Sequence, residues 1–450
     1  QAAAQAVRKA VAEAGSPTIA AIGLSGQMHG TVPIDANGKP ARAAIIWADG
    51  RSAEEARAIT EKIGAERLIE IAGSPVVSGF QAATCRWLAT HESEEWARAA
   101  TVLAPKDELR RWLTGEIATE PRDASSTLLF DVHAKAWSPD LAAAARVDRT
   151  QLPPVFGSTA LSGRLLGIAA ADLRLPAGIP VSGGVADAPG AALGAGVNEP
   201  SSMLLTISTG AQALVPVATP LIDLDGRIHS FCGPLDSPGW YAMGATMAAG
   251  LALWWLRDQI FELRDADAYE TMNRAAAATP PGAEGLVFAP YLIGERTPIM
   301  DPDARGIFLG LTARHGRGHL VRAVMEGVAL SLFEAFAILR DLGAAPKRIV
   351  LAGGGARSAI WRQIIADVFE MPVSPALEPD QSAMGAAITA GAAIGWFDPA
   401  EASRNWAGLG TPVEPIAENA AVYREILPIF RAAYPAHRDD FKTLRRIETR

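Results

Sequence analysis

Residues Gly183 to Gly196 read GGVADAPGAALGAG, and this stretch joins a predicted strand to a predicted helix. The apolar run Ile179 to Ser182 comes directly before it, and its glycines allow the backbone to turn tightly where that strand ends. Open α/β sheets bind ligands beyond the carboxyl ends of their strands, so Asp187 is predicted to face a ligand. The alternative is that Asp187 only caps the helix that follows it.

Glycine-containing junctions between a strand and a helix or turn recur along the chain. They are Ser25 to Gly30, Gly183 to Gly196, Ser208 to Gly210 and Gly353 to Gly355. The backbone amides and the Thr209 hydroxyl of the third junction suit a phosphate, although an ordinary hairpin turn has the same composition. The three glycines of the last junction suit a nucleotide. The pattern favours an enzyme that holds a polar small molecule in one domain and a nucleotide in the other.

The composition bounds the possible functions. A chain of 450 residues is too long for one hydrophobic core, and we predict domains over 1–197 and 198–450. A net charge of −8 without a basic tract argues against a nucleic-acid partner, and no apolar run is long enough to span a bilayer. The only cysteines are Cys85 and Cys232, so we expect a reducing compartment, the cytoplasm. The sequence opens directly on an Ala-rich helical pattern, so we expect no signal peptide.

Two local patterns carry further predictions. The turn Asp35 to Gly38 contains Asn-Gly and predicts a β-hairpin between Thr31 to Ile34 and Ala43 to Trp47. In the proline-rich loop over 289–305, the neighbours Glu295 and Arg296 are expected to pair with each other and fix the loop.

Several motifs, in order along nearly the whole chain, resemble those of the FGGY-family carbohydrate kinases. They are Ser25 to Gly30, Trp47 to Arg51, Pro105 to Asp107, Gly183 to Gly196, Gly294 to Pro298 and Gly353 to Ile364. The order Gln-Met-His-Gly at 27–30 resembles the xylulokinase branch of that family in particular.

The resemblance implies an α/β protein of two actin-like, ribonuclease-H-like domains with a cleft between them. It implies transfer of the γ-phosphoryl group of MgATP to D-xylulose, which gives D-xylulose 5-phosphate. Residues 1–197 are then the sugar side and 198–450 the nucleotide side. The partners implied are the sugar and ATP, with no nucleic acid or membrane, and the enzyme is expected to be a homodimer.

The resemblance also assigns roles to individual residues. Asp187 matches the general base that receives the hydroxyl proton. Gln27, Met28 and His29 match the sugar contacts. The positions that match the nucleotide site are Thr209, Gly210, Gly250, Gly354 and Gly355. Mg²⁺ is expected to arrive with ATP, and no residue is assigned to it.

Three departures from the family pattern keep other functions open. The family's first hairpin, which contacts phosphate and Mg²⁺, does not precede Gln1, so a protein that starts there is expected to have low activity. Ala188 stands where xylulokinases usually have a polar amide, and Ser208 to Ala211 replaces the commoner Gly-Thr-Ser. The alternatives are a kinase for ribulose, gluconate or a deoxy sugar, and a non-catalytic sugar-sensing protein with this fold.

Overall fold

The computed structural model describes residues 2–236 and 239–448, in which helices and strands alternate. The strands are β1 (Ser25–Gly26), β2 (Val32–Asp35), β3 (Ala99–Leu103), β4 (Phe130–Asp131), β5 (Ala136–Trp137), β6 (Leu161–Arg164), β7 (Pro180–Ser182), β8 (Val185–Ala186), β9 (Ser202–Ile207), β10 (Ala211–Val217), β11 (His229–Cys232), β12 (Trp240–Thr246), β13 (Val287–Ala289), β14 (Ile307–Leu309), β15 (Arg348–Gly353) and β16 (Val373–Pro375).

The α-helices are α1 (Ala2–Glu13), α2 (Ala53–Ile63), α3 (Ala65–Ala72), α4 (Gln81–His91), α5 (Ser93–Arg98), α6 (Pro105–Thr114), α7 (Pro121–Ser126), α8 (Pro139–Ala144), α9 (Gly167–Leu173), α10 (Asp187–Gly194), α11 (Gly250–Trp255), α12 (Ala268–Ala277), α13 (Arg317–Asp341), α14 (Ala359–Phe369), α15 (Gln381–Ala393), α16 (Pro399–Trp406) and α17 (Ala417–Glu448). Short 3-10 helices cover Arg149–Gln151, Ala283–Gly285 and Gly354–Arg357, and a π-helical turn, Leu256–Ile260, follows α11.

A six-stranded sheet in the order β11-β12-β10-β9-β15-β16 organises the second half of the chain. The strands from β11 to β9 pair antiparallel, whereas β9, β15 and β16 are parallel. Helix α13 packs its buried apolar residues onto this sheet, together with those of α14. The strands predicted before Ser208 and Gly353 are confirmed as β9 and β15.

The first half is built on shorter strands. The predicted strand over Ile19 to Leu24 forms only an isolated parallel bridge, between Ile22 and Val181, before β1 pairs with β8. The facing run explains this, because Pro180 has no amide proton to donate and Gly184 turns with φ of 81°. The segment Ile19 to Leu24 therefore pairs with its neighbour at a single position and not as a continuous strand.

The predicted hairpin around Asp35 to Gly38 forms in part, and β2 has a second partner that the sequence did not indicate. The turn itself forms, with the Gly38 amide donating to the Asp35 carbonyl at 3.0 Å. Strand β2, however, takes β3 as its antiparallel partner, and the return segment pairs through bridges at Thr31 with Ile45 and Ile34 with Pro40. The return segment pairs with Thr31 to Ile34 only at isolated positions, whereas β3 pairs with β2 along its length.

Helices α10 and α15 cross where each carries a glycine. A Cβ on Gly385 would lie 2.1 Å from the Gly190 carbonyl oxygen, and one on Gly194 would lie 2.0 Å from the Gln381 carbonyl oxygen. Only glycine allows backbones to approach this closely. The helix that begins at Asp187 is therefore held directly against the second half.

Strands β11 and β12 attach the second half to the first at another place. The Ser230 amide donates to the Gly73 carbonyl at 2.8 Å, and the Cys232 amide donates to the Ser125 hydroxyl at 3.1 Å. These bonds place one edge of the second-half sheet against the first half of the chain. Among the helices of residues 2–236 and 239–448, none combines the length and the apolar character needed to cross a membrane.

Candidate active site

Asp187 lies where two parallel strands end. Strands β1 and β8 pair in the register Ser25 with Val185 and Gly26 with Ala186, so Gln27 and Asp187 leave the same edge. Asp187 is the first residue of α10, and its Oδ1 accepts the adjacent Ala188 amide at 2.8 Å. Burial raises the pKa of Asp187 to about 6, against the opposing effect of backbone hydrogen bonds from Ala188 and Met28.

The Asp187 carboxyl borders an open groove. The groove has a volume of about 750 Å³, and Ser25 and Ser382 line it beside Asp187. The Ser382 hydroxyl donates to the Asp187 carbonyl at 3.0 Å, whereas the buried Ser25 hydroxyl has no hydrogen-bond partner among the residues described. Away from these polar groups the lining is largely apolar, with Val7, Trp112 and Trp396 among its members. Asp187 therefore forms part of the wall of this groove.

A buried ionic network holds the turn that leads to Asp187. Lys106 lies 2.7 Å from the Asp107 carboxylate and 3.2 Å from that of Asp123. Both Lys106 and Arg110 donate to the Gly183 carbonyl, at 3.3 and 2.9 Å. Because these side chains are completely buried, the turn at Gly183 is fixed by charged groups that solvent does not screen.

His29 is held in an unusual backbone conformation and in one tautomer. Its φ of 68° lies in the left-handed region, which is uncommon for a residue other than glycine and occurs often at functional sites. Its Nδ1 lies 2.7 Å from the Ser126 carbonyl, which can only accept, so Nδ1 carries the proton. Burial lowers the pKa of His29 to about 4, so the ring is neutral at physiological pH. Its unprotonated Nε2 can therefore accept a hydrogen bond from a hydroxyl group.

An aromatic cluster surrounds His29 and draws on both halves of the chain. It consists of His29, Phe80, His229, Phe231 and Tyr241. His29 stacks on Phe80, and the Tyr241 hydroxyl lies 3.6 Å from the Met28 sulfur. His229, Phe231 and Tyr241 come from β11 and β12, so the second half also forms part of the predicted sugar side.

The predicted nucleotide residues meet at the carboxyl edge of β9 and β15. The parallel register pairs Ile207 with Gly353, which brings Thr209 and Gly210 beside Gly354 and Gly355. Gly250 joins them, because its amide donates to the Ser208 carbonyl at 2.8 Å. Thr209 and Gly354 are exposed at this edge.

Most of these glycines are explained by packing inside the protein. A Cβ on Gly210 would lie 2.6 Å from the Thr246 carbonyl oxygen, one on Gly250 would lie 2.2 Å from that of Ser208, and one on Gly355 would lie 2.7 Å from the Ile207 side chain. Gly354 alone of this set meets nothing closer than 4.0 Å. The turn, the start of α11 and the end of β15 are thus locked together, and Gly354 is the glycine that faces open space.

Within the described ranges, no group of three or more His, Cys, Asp or Glu side chains converges as a metal site. Mg²⁺ usually keeps several waters and is held by substrate phosphates with one or two carboxylates, so a ready-made protein cage is not required. The residues present are compatible with a metal that arrives on the nucleotide, and we assign no ligand to it.

Sequence reasoning missed several residues near the site. His229, Phe231 and Phe80 are distant from His29 along the chain, and only pairing between halves brings them together. The predicted pair of Glu295 with Arg296 is wrong, because Glu295 Oε1 accepts the amides of Met247 and Arg296, each at 2.7 Å. Within the described residues, the Arg296 guanidinium has no hydrogen-bond or ion-pair partner.

Known proteins resemble this chain over nearly its full length. The family description "FGGY family of carbohydrate kinases" matches residues 1–194 with its N-terminal domain and residues 203–394 with its C-terminal domain. A xylulose kinase from Staphylococcus epidermidis is 36% identical over 92% of this chain and 82% of its own length. A gluconokinase from Bacillus subtilis is 30% identical over 92% of this chain and 82% of its own length.

The fold agrees with these matches. The crystal structure of a xylulose kinase from Rhodospirillum rubrum superposes with a TM-score of 0.89 at 32% identity, over 97% of this chain and 88% of that one. The two-domain α/β architecture is therefore the actin-like fold of sugar kinases. On its sequence, its fold and its two matched domains, the chain belongs to the FGGY family of carbohydrate kinases.

Proposed function

We propose that this protein phosphorylates D-xylulose to D-xylulose 5-phosphate with MgATP as the phosphoryl donor. The observation that carries the proposal is the Asp187 carboxyl, which lies beside Met28 at the end of two parallel strands and has its pKa raised to about 6 by burial. A base poised near the working pH is more effective than an ordinary aspartate. The similarity to xylulose kinases supports the choice of sugar.

In the proposed reaction, the sugar hydroxyl oxygen bonds to the γ-phosphorus of ATP as the bond from that phosphorus to the bridging oxygen breaks. Asp187 takes the hydroxyl proton, and ADP leaves with the bridging oxygen. Phosphoryl transfer has a loose transition state, so alignment and charge stabilisation contribute more than the strength of the base. The carboxyl and the strands beneath it therefore act mainly by holding the hydroxyl in line.

The remaining roles divide between the two halves. We propose that Gln27, Met28 and His29 contact the sugar, with His29 Nε2 accepting a hydroxyl proton in a hydrogen bond. We propose that the exposed edge at Thr209, Gly210, Gly250, Gly354 and Gly355 holds ATP. Residues 1–197 are then the sugar side and 198–450 the nucleotide side, and closure of the cleft excludes water. Mg²⁺, when bound, neutralises charge on the phosphates.

Gluconate is the second candidate substrate. The similarity to a gluconokinase over 92% of the chain favours it, whereas Ala188, which stands where xylulokinases usually have a polar amide, only weakens the case for xylulose. Ribulose and deoxy sugars are further candidates within the family, and a sugar-sensing protein without turnover is the alternative outside catalysis.

A coupled assay of ADP release, run over xylulose, ribulose, gluconate and deoxy sugars, tests the proposal. Release that depends on xylulose supports it, whereas a clear preference for another acceptor overturns the substrate assignment. Sugar binding by calorimetry without any turnover favours the sensing protein. Light scattering after size-exclusion chromatography checks the expected homodimer.

A further inference from the structure

The segment Glu295 to Thr297 is fixed to the end of β12. The Thr297 amide donates to the Ala245 carbonyl at 3.0 Å, and the Ala245 amide donates to the Thr297 hydroxyl at 3.1 Å. Glu295 Oε1 accepts the Met247 amide at 2.7 Å. Both neighbours of Arg296 are therefore hydrogen-bonded to the β12 segment, and these bonds fix the position of the Arg296 backbone.

The Arg296 side chain is half-buried and has no counter-ion among residues 2–236 and 239–448. Glu295, the expected partner, turns to backbone amides, and its Oε2 is buried without a hydrogen bond in the described structure. Burial raises the pKa of Glu295 to about 8, so its carboxyl does not neutralise the guanidinium at neutral pH. A cation withdrawn from water without a partner is unfavourable, and such groups are candidates for binding an anion.

Arg296 lies between the predicted phosphate turn and the predicted sugar side. On one side, Met247 connects the two regions. Its amide donates to Glu295, the neighbour of Arg296, and its carbonyl oxygen lies 3.2 Å from where a Cβ on Gly210 would be. On the other side, burial lowers the pKa of both His29 and His229, and the positive charge of Arg296 lowers each further. The backbone of Arg296 therefore adjoins a residue bound beside the predicted phosphate turn, and its charge reaches the imidazoles of the predicted sugar side.

We propose that the Arg296 guanidinium binds the phosphoryl group as it passes from the nucleotide to the sugar. This inference rests on the proposed kinase function and adds a residue to it. Two N–H groups of Arg296 would donate to non-bridging oxygens of the γ-phosphoryl group, a geometry that a planar guanidinium matches and an ammonium does not. The charge on those oxygens changes during transfer, and Arg296 stabilises it without giving up a proton.

The test compares Arg296→Gln and Arg296→Lys with wild type and with Arg314→Gln. Arg314 is an exposed cation of the same half that lies 3.6 Å from Glu284, and it serves as the matched charge control. Calorimetry measures the affinity, with Mg²⁺ present, for ADP, for β,γ-imido-ATP, for the neutral sugar and for gluconate. Thermal unfolding checks that each variant is folded, and turnover is measured in parallel.

For Arg296→Gln we expect the affinity for β,γ-imido-ATP to fall about 10-fold, because charge-assisted hydrogen bonds to the terminal phosphate are lost. The affinities for ADP and xylulose should stay at the wild-type values, and kcat should fall by roughly 10³-fold. Arg296→Lys should recover part of the triphosphate affinity, because it keeps the positive charge but lacks the planar pair of N–H donors. Arg314→Gln should match wild type in every measurement.

Two outcomes overturn the inference. The first is a folded Arg296→Gln variant that keeps the wild-type preference for the triphosphate analogue over ADP. The second is loss of gluconate binding with that preference intact, which makes Arg296 a carboxylate ligand of the acceptor. If the wild-type protein turns over a different sugar or none, the proposed function fails, but the comparison of ADP with the triphosphate analogue still decides the role of Arg296.

Discussion

The imidazole of His29 stacks face to face on the ring of Phe80, with centroids 3.7 Å apart and an interplanar angle of 3°. This contact, together with the Ser126 carbonyl on Nδ1, fixes the direction in which Nε2 points. Phe80 is thus a positioning residue for the proposed sugar contact.

Replacing Phe80 with leucine should raise KM for the sugar with little change in kcat. The stacking contributes about 0.5–1.5 kcal/mol beyond burial, which corresponds to a KM increase of roughly 2- to 12-fold. Steady-state kinetics at saturating ATP measure this change. Phe369→Leu is the control, because Phe369 is equally well buried in the core of the second half. A KM change of the same size in both variants would show that the effect is general loss of packing.

Replacing Asp187 with alanine should abolish phosphoryl transfer and leave ATP binding largely intact. General bases contribute about 10²- to 10⁴-fold to rate, so a residual activity of 1% or less is expected. The ADP-release assay and calorimetry with ATP measure the two properties. Asp172→Ala removes an exposed carboxylate from α9 and should behave as wild type. Wild-type turnover in the Asp187 variant would remove this residue from the mechanism.

The pH profile should report the ionisation of Asp187. Its raised pKa means that the carboxyl is protonated, and cannot accept a proton, below about pH 6. In the free enzyme, kcat/KM should therefore be constant above that pH and fall about tenfold per unit below it. Circular dichroism over the same range checks that the fold persists. A profile that stays flat down to about pH 5 would contradict the assignment of the base.

Replacing Gly385 with alanine should weaken both stability and activity. The new Cβ would lie 2.1 Å from the Gly190 carbonyl oxygen, so α15 must move away from α10. Overpacking of this kind costs about 1–3 kcal/mol, and kcat should fall because α10 begins at Asp187. Tm and turnover measure the two effects. Gly167→Ala, where no atom lies within 4 Å of the added Cβ, should leave both at wild-type values.

Local signals in the sequence predicted the elements that depend on neighbouring residues. The strand over Arg348 to Ala352 and the helix capped by Ser358 are confirmed, and the Ser358 hydroxyl oxygen accepts the Trp361 amide as expected of a cap. The strand before Ser208 is confirmed for the same reason. In each case a run of apolar residues ends at a residue type that favours a turn or a cap, so the signal is complete within a few positions.

Predictions failed where the partner is distant along the chain. The Asn-Gly hairpin at 37–38 forms only through isolated bridges, and the longer ladder of β2 is with β3, which lies more than sixty positions further on. Glu295 and Arg296 are neighbours in sequence, yet the carboxyl binds amides, and the guanidinium has no partner among the described residues. The sequence positions of the two charges do not reveal that the backbone amide of Met247 is close to Glu295. This amide competes with Arg296 for the Glu295 carboxylate.

The attachment of β11 and β12 to the first half has a consequence for engineering. A chimera that takes residues 1–197 from one family member and the remainder from another would place foreign side chains at His229, Phe231 and Tyr241 against the native Met28 and His29. If Met28 and His29 contact the sugar as proposed, exchanging residues 1–197 alone does not transfer the acceptor preference. A graft intended to change the sugar needs residues 229–241 from the same donor.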